Sequence, residues 1–562
     1  MHFADFAIND FFRRANLLVY NTRSVLFLCR NEFPTRQGLR DELTDRNPAG
    51  AEPLNHSTNK NKTMYLPLGT YSPDIQLGLV SASRNCFPRA LSDERTRRLL
   101  GAAKAAGIAL TTPEGESAII ETKDHALDAA RQLRAAGCDA VVFYLGNFSP
   151  EIEDAWFIKN FDRPVMILAA AEESGSSLLQ KRGDALCGLL SAVLGVSKRG
   201  LLGKVHIPEM PVVSAEEGVV EIAHFLQIAK IVKGTGNATV GLFGPRPRDF
   251  ETCNYNLASV NSIGVEVEEL GLFDLQNEIK RIRESEGAAE IAADMKKETP
   301  SIPDDKEFVA RLSTYEKAVR SFRDRLKLSG AATQCWSEQE FSLKHVPCYI
   351  NGRMAQGGFP IACENDCYSL IAELLAQYAS DNAVAILDIN HSIPKDLHAS
   401  LKQYPIQDMV GMFHCGNAAP KLLKNPEMKY QVIMKRLMEP ETPADITRGT
   451  LEGQFIGSPI TVVQVHGTGD RMRAYIIEGH FLDLDPKTFG ATGTAYLPGF
   501  SRFYRHVLLG RFHHHAAVAF SHCGAALFDA FKLLGFAEVF TPNPECVPYP
   551  GENVFRGLLK AK

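Results

Sequence analysis

Three apolar runs separated by helical segments restrict this chain more than any other feature. Residues 77–82 (LGLVSA), 139–148 (DAVVFYLGNF) and 164–170 (PVMILAA) are rich in Val, Ile and Leu, as strands buried on both faces are. Between the first two lies a charged, Ala- and Leu-rich segment, 91–106, that reads as a helix. HALDAARQLRAAG (125–137) then repeats apolar residues at helical spacing and ends at Gly137, a good carboxyl-terminal stop. Strand–helix–strand repetition of this kind predicts a parallel sheet covered by helices.

The same pattern resumes near residue 175, with a helical segment at 184–195 and a strand at 238–244 (ATVGLFG). The stretch 274–332 is heavily charged and predicts solvent-exposed helices, broken at Pro300 and Pro303. The final third changes character: PITVVQVHG (459–467), AYIIEGHFLD (474–483) and HAAVAFSH (515–522) are strand-like. A chain of 562 residues is too long for one core. The fold class expected is α/β: two Rossmann-like three-layer α/β/α domains over 64–174 and 175–379, followed by a β-rich carboxyl-terminal domain over 380–562. Residues 1–63 read as a poorly structured extension, because 31–63 is polar and lacks a sustained period. Either Met64 is the start of the working protein, or 1–63 is a targeting or regulatory tail.

Bulk properties narrow the function classes. A net charge of −5 with no concentrated basic stripe argues against a nucleic-acid surface. Arg502, Arg505 and Arg511 read as a solvated helix flank. No run approaches the roughly 18 apolar residues that span a membrane. Twelve cysteines without a CxxC pair argue against a structural zinc site. With no good secretory signal, they fit free thiols in a reducing compartment, so a cytoplasmic location is expected. GLFGPRPRDF (241–250) matches neither dinucleotide nor Walker phosphate loops, and a GxSxG nucleophile elbow is absent.

Chemistry concentrates in three polar positions set in core-like sequence. Glu364 precedes the strongly apolar helix of GGFPIACENDCYSLIAELLAQYA (357–379), where Asn365 and Asp366 compete with it as helix caps. Asp388 ends the apolar strand AVAILDIN (383–390), the end at which ligands gather in α/β sheets. A carboxylate there is unfavourable unless paired or metal-bound. The third element is the cluster His513, His514 and His515, from which one imidazole is available as a ligand while its neighbours face solvent.

These residues resemble the L-fucose isomerase/L-arabinose isomerase superfamily, with a layout closest to L-fucose isomerase, over roughly 75–545. Glu364 and Asp388 stand 24 apart, as the family's two metal-ligating acids do. The family's third ligand is a histidine seven residues before another, and only His515 has that register, with His522. FHCGNAAP (413–420) and GTLEGQF (449–455) are similar to segments lining the sugar site, which makes His414 and Asn417 candidate substrate contacts. Arg84 and Arg89 follow the first strand, as does the family's arginine loop that reaches a neighbouring subunit. The resemblance implies an aldose–ketose isomerase acting on a deoxyhexose, pentose or related sugar, assembled as a homo-oligomer, trimer or hexamer. It implies Mn²⁺ or another divalent ion on Glu364, Asp388 and His515, the two acids also moving the proton. His522 reads as a satisfied core histidine. The alternative is a non-catalytic sugar-binding or regulatory protein on the same fold, which has no need for two buried acids at that spacing.

Overall fold

The computed structural model describes residues 66–433, 444–542 and 551–556; the expected extension 1–63 lies outside the described residues. The apolar runs form strands β1 (Leu77–Ala82), β3 (Ala140–Leu145) and β4 (Val165–Ala170), every residue of which is buried. Together with β2 (Ile119–Ile120), β5 (Val205–His206) and β6 (Val212–Val213) they make a parallel sheet ordered β2-β1-β3-β4-β5, with β6 beside β4. β5 and β6 thus join this sheet from beyond residue 174. Helix Lys123–Ala135 starts at Thr122, whose side chain accepts the His125 N–H, and stops before Gly137 at φ +81°, a conformation open to glycine.

A second parallel sheet follows, ordered β10-β9-β7-β8, from β7 (Thr239–Phe243), β8 (Glu266–Leu270), β9 (Gly330–Thr333) and β10 (Ile361–Ala362). The charged stretch forms helices Leu272–Ser285, Ala289–Glu298 and Lys306–Leu326. These are not exposed all round. Phe308, Leu312, Tyr315, Val319 and Phe322 put one stripe of the last helix into a core, and two of its charged residues, Glu316 and Arg323, are buried as well, Glu316 paired with Arg320 and Arg353.

The third sheet has nine strands among the described residues: β11 (Val384–Ser392), β12 (Met409–His414), β13 (Leu423–Tyr430), β14 (Arg448–Phe455), β15 (Ser458–Thr468), β16 (Arg471–Leu482), β17 (Ala491–Tyr496), β18 (His515–Ala519) and β19 (Glu538–Phe540). Its order is β13-β14-β17-β12-β11-β18-β15-β16-β19, and a further β16–β17 pairing closes strands β17, β12, β11, β18, β15 and β16 into a ring. The mixed α/β architecture with a β-rich carboxyl-terminal part matches the fold class read from the sequence.

β11 sits between two cores. Val384 and Ile386 belong to the core shared with the first sheet and helix Cys367–Ser380, whereas Ala385 and Leu387 belong to the other. β18 alternates in the same way, with Ala517 and Ala519 in the first core and Ala516 and Val518 in the second. The period of two therefore carries Asp388 and His515 onto the face of helix Cys367–Ser380. No helix among the described residues is long and apolar enough to cross a membrane.

Close backbone packing joins the second and third sheets. A Cβ on Gly352, in helix Cys348–Gln356, would lie 2.2 Å from the Ala418 carbonyl oxygen and 2.6 Å from the Ala418 nitrogen. Backbone cannot yield as a side-chain tip can. Gly352→Ala is expected to destabilise the protein by about 1–3 kcal/mol, read as a lower denaturant midpoint at unchanged m-value.

Candidate active site

Glu364 comes from the turn between β10 and helix Cys367–Ser380. Both it and Asn365 are left-handed, at φ +52° and +55°, a conformation that costs a non-glycine residue about 1 kcal/mol or more. The turn is held to the carboxyl ends of the second sheet's strands: the Asn365 N–H donates to Thr333 O (3.1 Å) and its side-chain amide donates to Gly244 O (2.6 Å). Asp388 and His515 arrive from the third sheet, where they are direct antiparallel partners in β11 and β18. The site therefore forms where the second sheet meets the third.

Imidazole His515 organises it. Its Nδ1 lies 2.8 Å from Asp366 Oδ2, so Nδ1–H donates to that carboxylate and Nε2 faces the other two acids. Nε2 lies 3.5 Å from Glu364 Oε2 and 3.5 Å from Asp388 Oδ1. Those two oxygens are buried without a hydrogen-bond partner. Atoms sharing one divalent ion at ~2.1 Å lie ~3.0–3.5 Å apart, and each orphaned oxygen stands at that distance from Nε2; the sets whose ligand atoms all lie within 4.8 Å of one another include Glu364 with His414 and His515, and Asp388 with His514 and His515. A carboxylate behind a ligating histidine fixes its tautomer in many metal sites.

Charge accounts for the proton affinities. Burial raises the Glu364 carboxyl to about 7, and the Asp388 charge adds to this against the opposing pull of His515. Burial likewise raises Asp388 to about 6, against His515. Asp366 moves the other way: despite its burial, His513, His515 and Ser369 hold it ionised. His515 is raised although burial opposes it, because Asp366 accepts its proton and Cys253 and Glu364 lie close. Without a cation the pocket is thus an anionic hole that takes up protons.

Access is one-sided. The Asp388 and His514 side chains are 20% and 42% exposed, against 5% for Glu364, so a ligand enters from the Asp388 side. There His514 Nε2 lies 3.8 Å from Asp388 Oδ1, and its ring is 6.4 Å from that of Phe250, which meets Trp336 edge-on at 5.4 Å. A cleft of about 570 Å³, bounded in part by Arg246, Cys253, Glu269 and Asn365, adjoins the Glu364 turn.

Among the expected substrate contacts, His414 is buried with its ring 6.2 Å from His515. Its Nδ1 accepts the Cys415 N–H, which puts the proton on Nε2, and burial holds the ring neutral by lowering it to about 3. His414 is therefore a hydrogen-bond donor rather than a lone-pair ligand. Asn417 donates its side-chain amide to Ile361 O (2.8 Å) and to Cys363 Sγ (3.3 Å), joining the residues beside Glu364 to the loop after β12. Arg84 and Arg89 stand elsewhere, in the segment after β1, with Arg89 opening helix Arg89–Ala105. Arg84 lies over the Phe148 ring (4.6 Å) and 3.8 Å from Glu151, and Arg89 pairs with Glu121 and Glu116. His522 is exposed rather than in a core, its Nε2 donating to Gly479 O (3.1 Å), because β18 ends at Ala519.

Sequence reasoning passed over the parts played by Asp366, His513 and His514. Asp366 does cap its helix, accepting the Ser369 N–H at 3.1 Å, but it also holds His515. His513 Nε2 approaches the same Asp366 oxygen at 3.4 Å. Only their adjacency to Glu364 and His515 signals this. Phe250 and Trp336 carry no signal in sequence, since loops of the second sheet deliver them.

Two family models match the chain. Residues 78–235 match one described as the fucose/sulfoquinovose isomerase N-terminal domain, and residues 412–540 match one described as the L-fucose isomerase C-terminal domain. No curated protein matches. The second match takes in His515 and the strands that carry it, and the first spans the parallel sheet read from the opening apolar runs. With both matches in chain order on the expected architecture, the chain belongs to the L-fucose isomerase-like family.

Proposed function

We propose that this chain is a divalent-metal-dependent aldose–ketose isomerase that moves a proton between C1 and C2 of an open-chain deoxyhexose, pentose or related sugar, through an enediol. The observation that carries this reading is the convergence of two orphaned carboxylate oxygens on Nε2 of His515. Glu364, Asp388 and His515 hold the ion, and a set of two carboxylates and one imidazole suits Mn²⁺. When bound, the ion polarises the sugar's carbonyl and neighbouring hydroxyl and stabilises the negative charge that develops on their oxygens.

The residues around it supply the rest. Glu364 and Asp388 are the two carboxylates of the site, one to accept a proton from one carbon and the other to return it to the next. Asp366 keeps His515 in one tautomer throughout. His414 donates from Nε2 to a sugar oxygen. Phe250 and Trp336 offer an apolar face to the sugar's carbon skeleton on the open side.

A homo-oligomer belongs to the same reading, with Arg84 or Arg89 reaching a neighbouring copy's site. Leu186, Leu190 and Leu194 support it: they recur at helical spacing on helix Ala185–Ser197, each more than half exposed.

Incubation with Mn²⁺ and a panel of aldoses in D₂O tests the chemistry. Deuterium is expected at C2 of the recovered aldose or C1 of the ketose, and sugar binding without exchange would make the chain a binding protein instead. Glu364→Gln and Asp388→Asn are each expected to lower kcat by about 10³-fold or more while the folded signature in circular dichroism persists. Near-normal turnover by Asp388→Asn with metal present would overturn the site. The proton affinities set a stability profile. Glu364 is raised above its usual 4.5 to about 7, so its stabilisation is full below pH 4.5 and is lost as pH rises through 7. Relative to Glu364→Gln, the metal-free protein should lose on the order of 3 kcal/mol across that window, and Mn²⁺ should remove the difference. Leu190→Glu is expected to shift the protein to a smaller species in light scattering.

A further inference from the structure

A second cluster of metal-ligating side chains lies apart from the active site and shares no residue with it. His206 ends β5, His224 lies on helix Ala215–Thr235, and Asp529 lies on helix Gly524–Leu533. Each offers one ligand atom, and the three atoms lie within 4.8 Å of one another. His224 Nε2 is 3.0 Å from Asp529 Oδ2. The His206 ring stacks on Phe225, 5.9 Å between centroids at 4°, and is equally far from the His224 ring. All three are largely shut away from solvent, at 5% for His206 and 10% and 1% for the His224 and Asp529 side chains.

Two observations go beyond packing. His206 Nε2 is buried and has no hydrogen-bond partner, an arrangement that costs about 1–3 kcal/mol when nothing answers it. Burial also keeps that imidazole neutral by lowering it to about 4, so its lone pair is available. The surroundings, moreover, carry surplus negative charge. Asp529, Glu209 and Glu221 face the cations Lys532 and Arg556: Lys532 Nζ lies 3.1 Å from Asp529 Oδ1, and Arg556 lies 3.5 Å from Glu209 and 2.6 Å from Glu221. Three carboxylates against two fixed cations leave one negative charge uncompensated in a buried place. Asn553 donates to Asp529 Oδ2, the oxygen that faces His224, at 2.8 Å and holds that carboxylate in place.

We propose that His206, His224 and Asp529 form a second metal site, structural in role, that takes a first-row transition ion such as Zn²⁺. Two imidazoles and one carboxylate are softer than the two carboxylates and one imidazole of the active site, so the two sites differ in preference. The ion would tie the edge of the first sheet and helix Ala215–Thr235 to helix Gly524–Leu533, segments more than 300 positions apart in sequence.

Co²⁺ titration of the Glu364→Gln/Asp388→Asn protein tests this, because its active-site donors are weakened while the second cluster is intact. One Co²⁺ per chain is expected, with visible absorption of a low-coordinate nitrogen–oxygen site. Adding His206→Gln should weaken it at least ~10-fold; His224→Gln, at a less buried position, gives the same readout if His206→Gln does not fold. Saturating Zn²⁺ should raise the melting temperature of the double variant and not that of the triple. Failure of the double variant to bind Co²⁺, or binding unchanged by both histidine substitutions, would overturn the proposal. Neither result bears on isomerisation, which D₂O exchange reads separately.

Discussion

The hydrogen bond between Asp366 and His515 is the interaction on which the site depends. One buried carboxylate does two things: it caps helix Cys367–Ser380, and it fixes the proton of His515 on Nδ1. Helix and imidazole are thereby placed by a single group. Because the cap stands two residues after Glu364, it also fixes where the Glu364 turn stands relative to β18. Removing Asp366 would release three constraints together, and the like-charged oxygens of Glu364 and Asp388 would lose the nitrogen that faces them both.

Electrostatics explains why a fold would keep so strained an arrangement. Two carboxylates, each more than three-quarters buried, and a left-handed turn are unfavourable on their own. A cation held between them, as the proposed function has it, would turn repulsion into attraction and satisfy the orphaned oxygens. The strain is therefore local to the ligand-binding state, and the rest of the fold, with two large apolar cores, is stable enough to hold it.

Much of the fold was legible because its strands carry simple patterns. β1, β3 and β4 are apolar at nearly every position, which only burial on both faces explains. Asp388 stood out as a charge finishing such a run. Other features were hidden for physical reasons. Aspartate is an ordinary helix cap, so nothing in the letters told Asp366 apart from a cap that touches nothing else. The β16–β17 pairing that closes the ring joins residues by long-range register, which local periodicity does not encode. The helix Lys306–Leu326 was read by its charges, although its apolar stripe is what anchors it. Of the residues offered as sugar contacts, His414 lies beside the site, Asn417 ties the adjoining loops together, and the two arginines lie in the segment after β1 of the first sheet.

β11 divides two cores, and this has a consequence for how such a site can change. Its alternate residues are committed to opposite sides, so moving Asp388 by one register position would also turn Ile386 and Leu387 into the wrong cores. The Asp388 carboxylate is thus protected by the same apolar neighbours that stabilise the sheet. Phe250, Trp336 and the turns around them carry no such double commitment. Over generations, the buried acids of this fold are anchored by its strands, while the loops around them are free to drift.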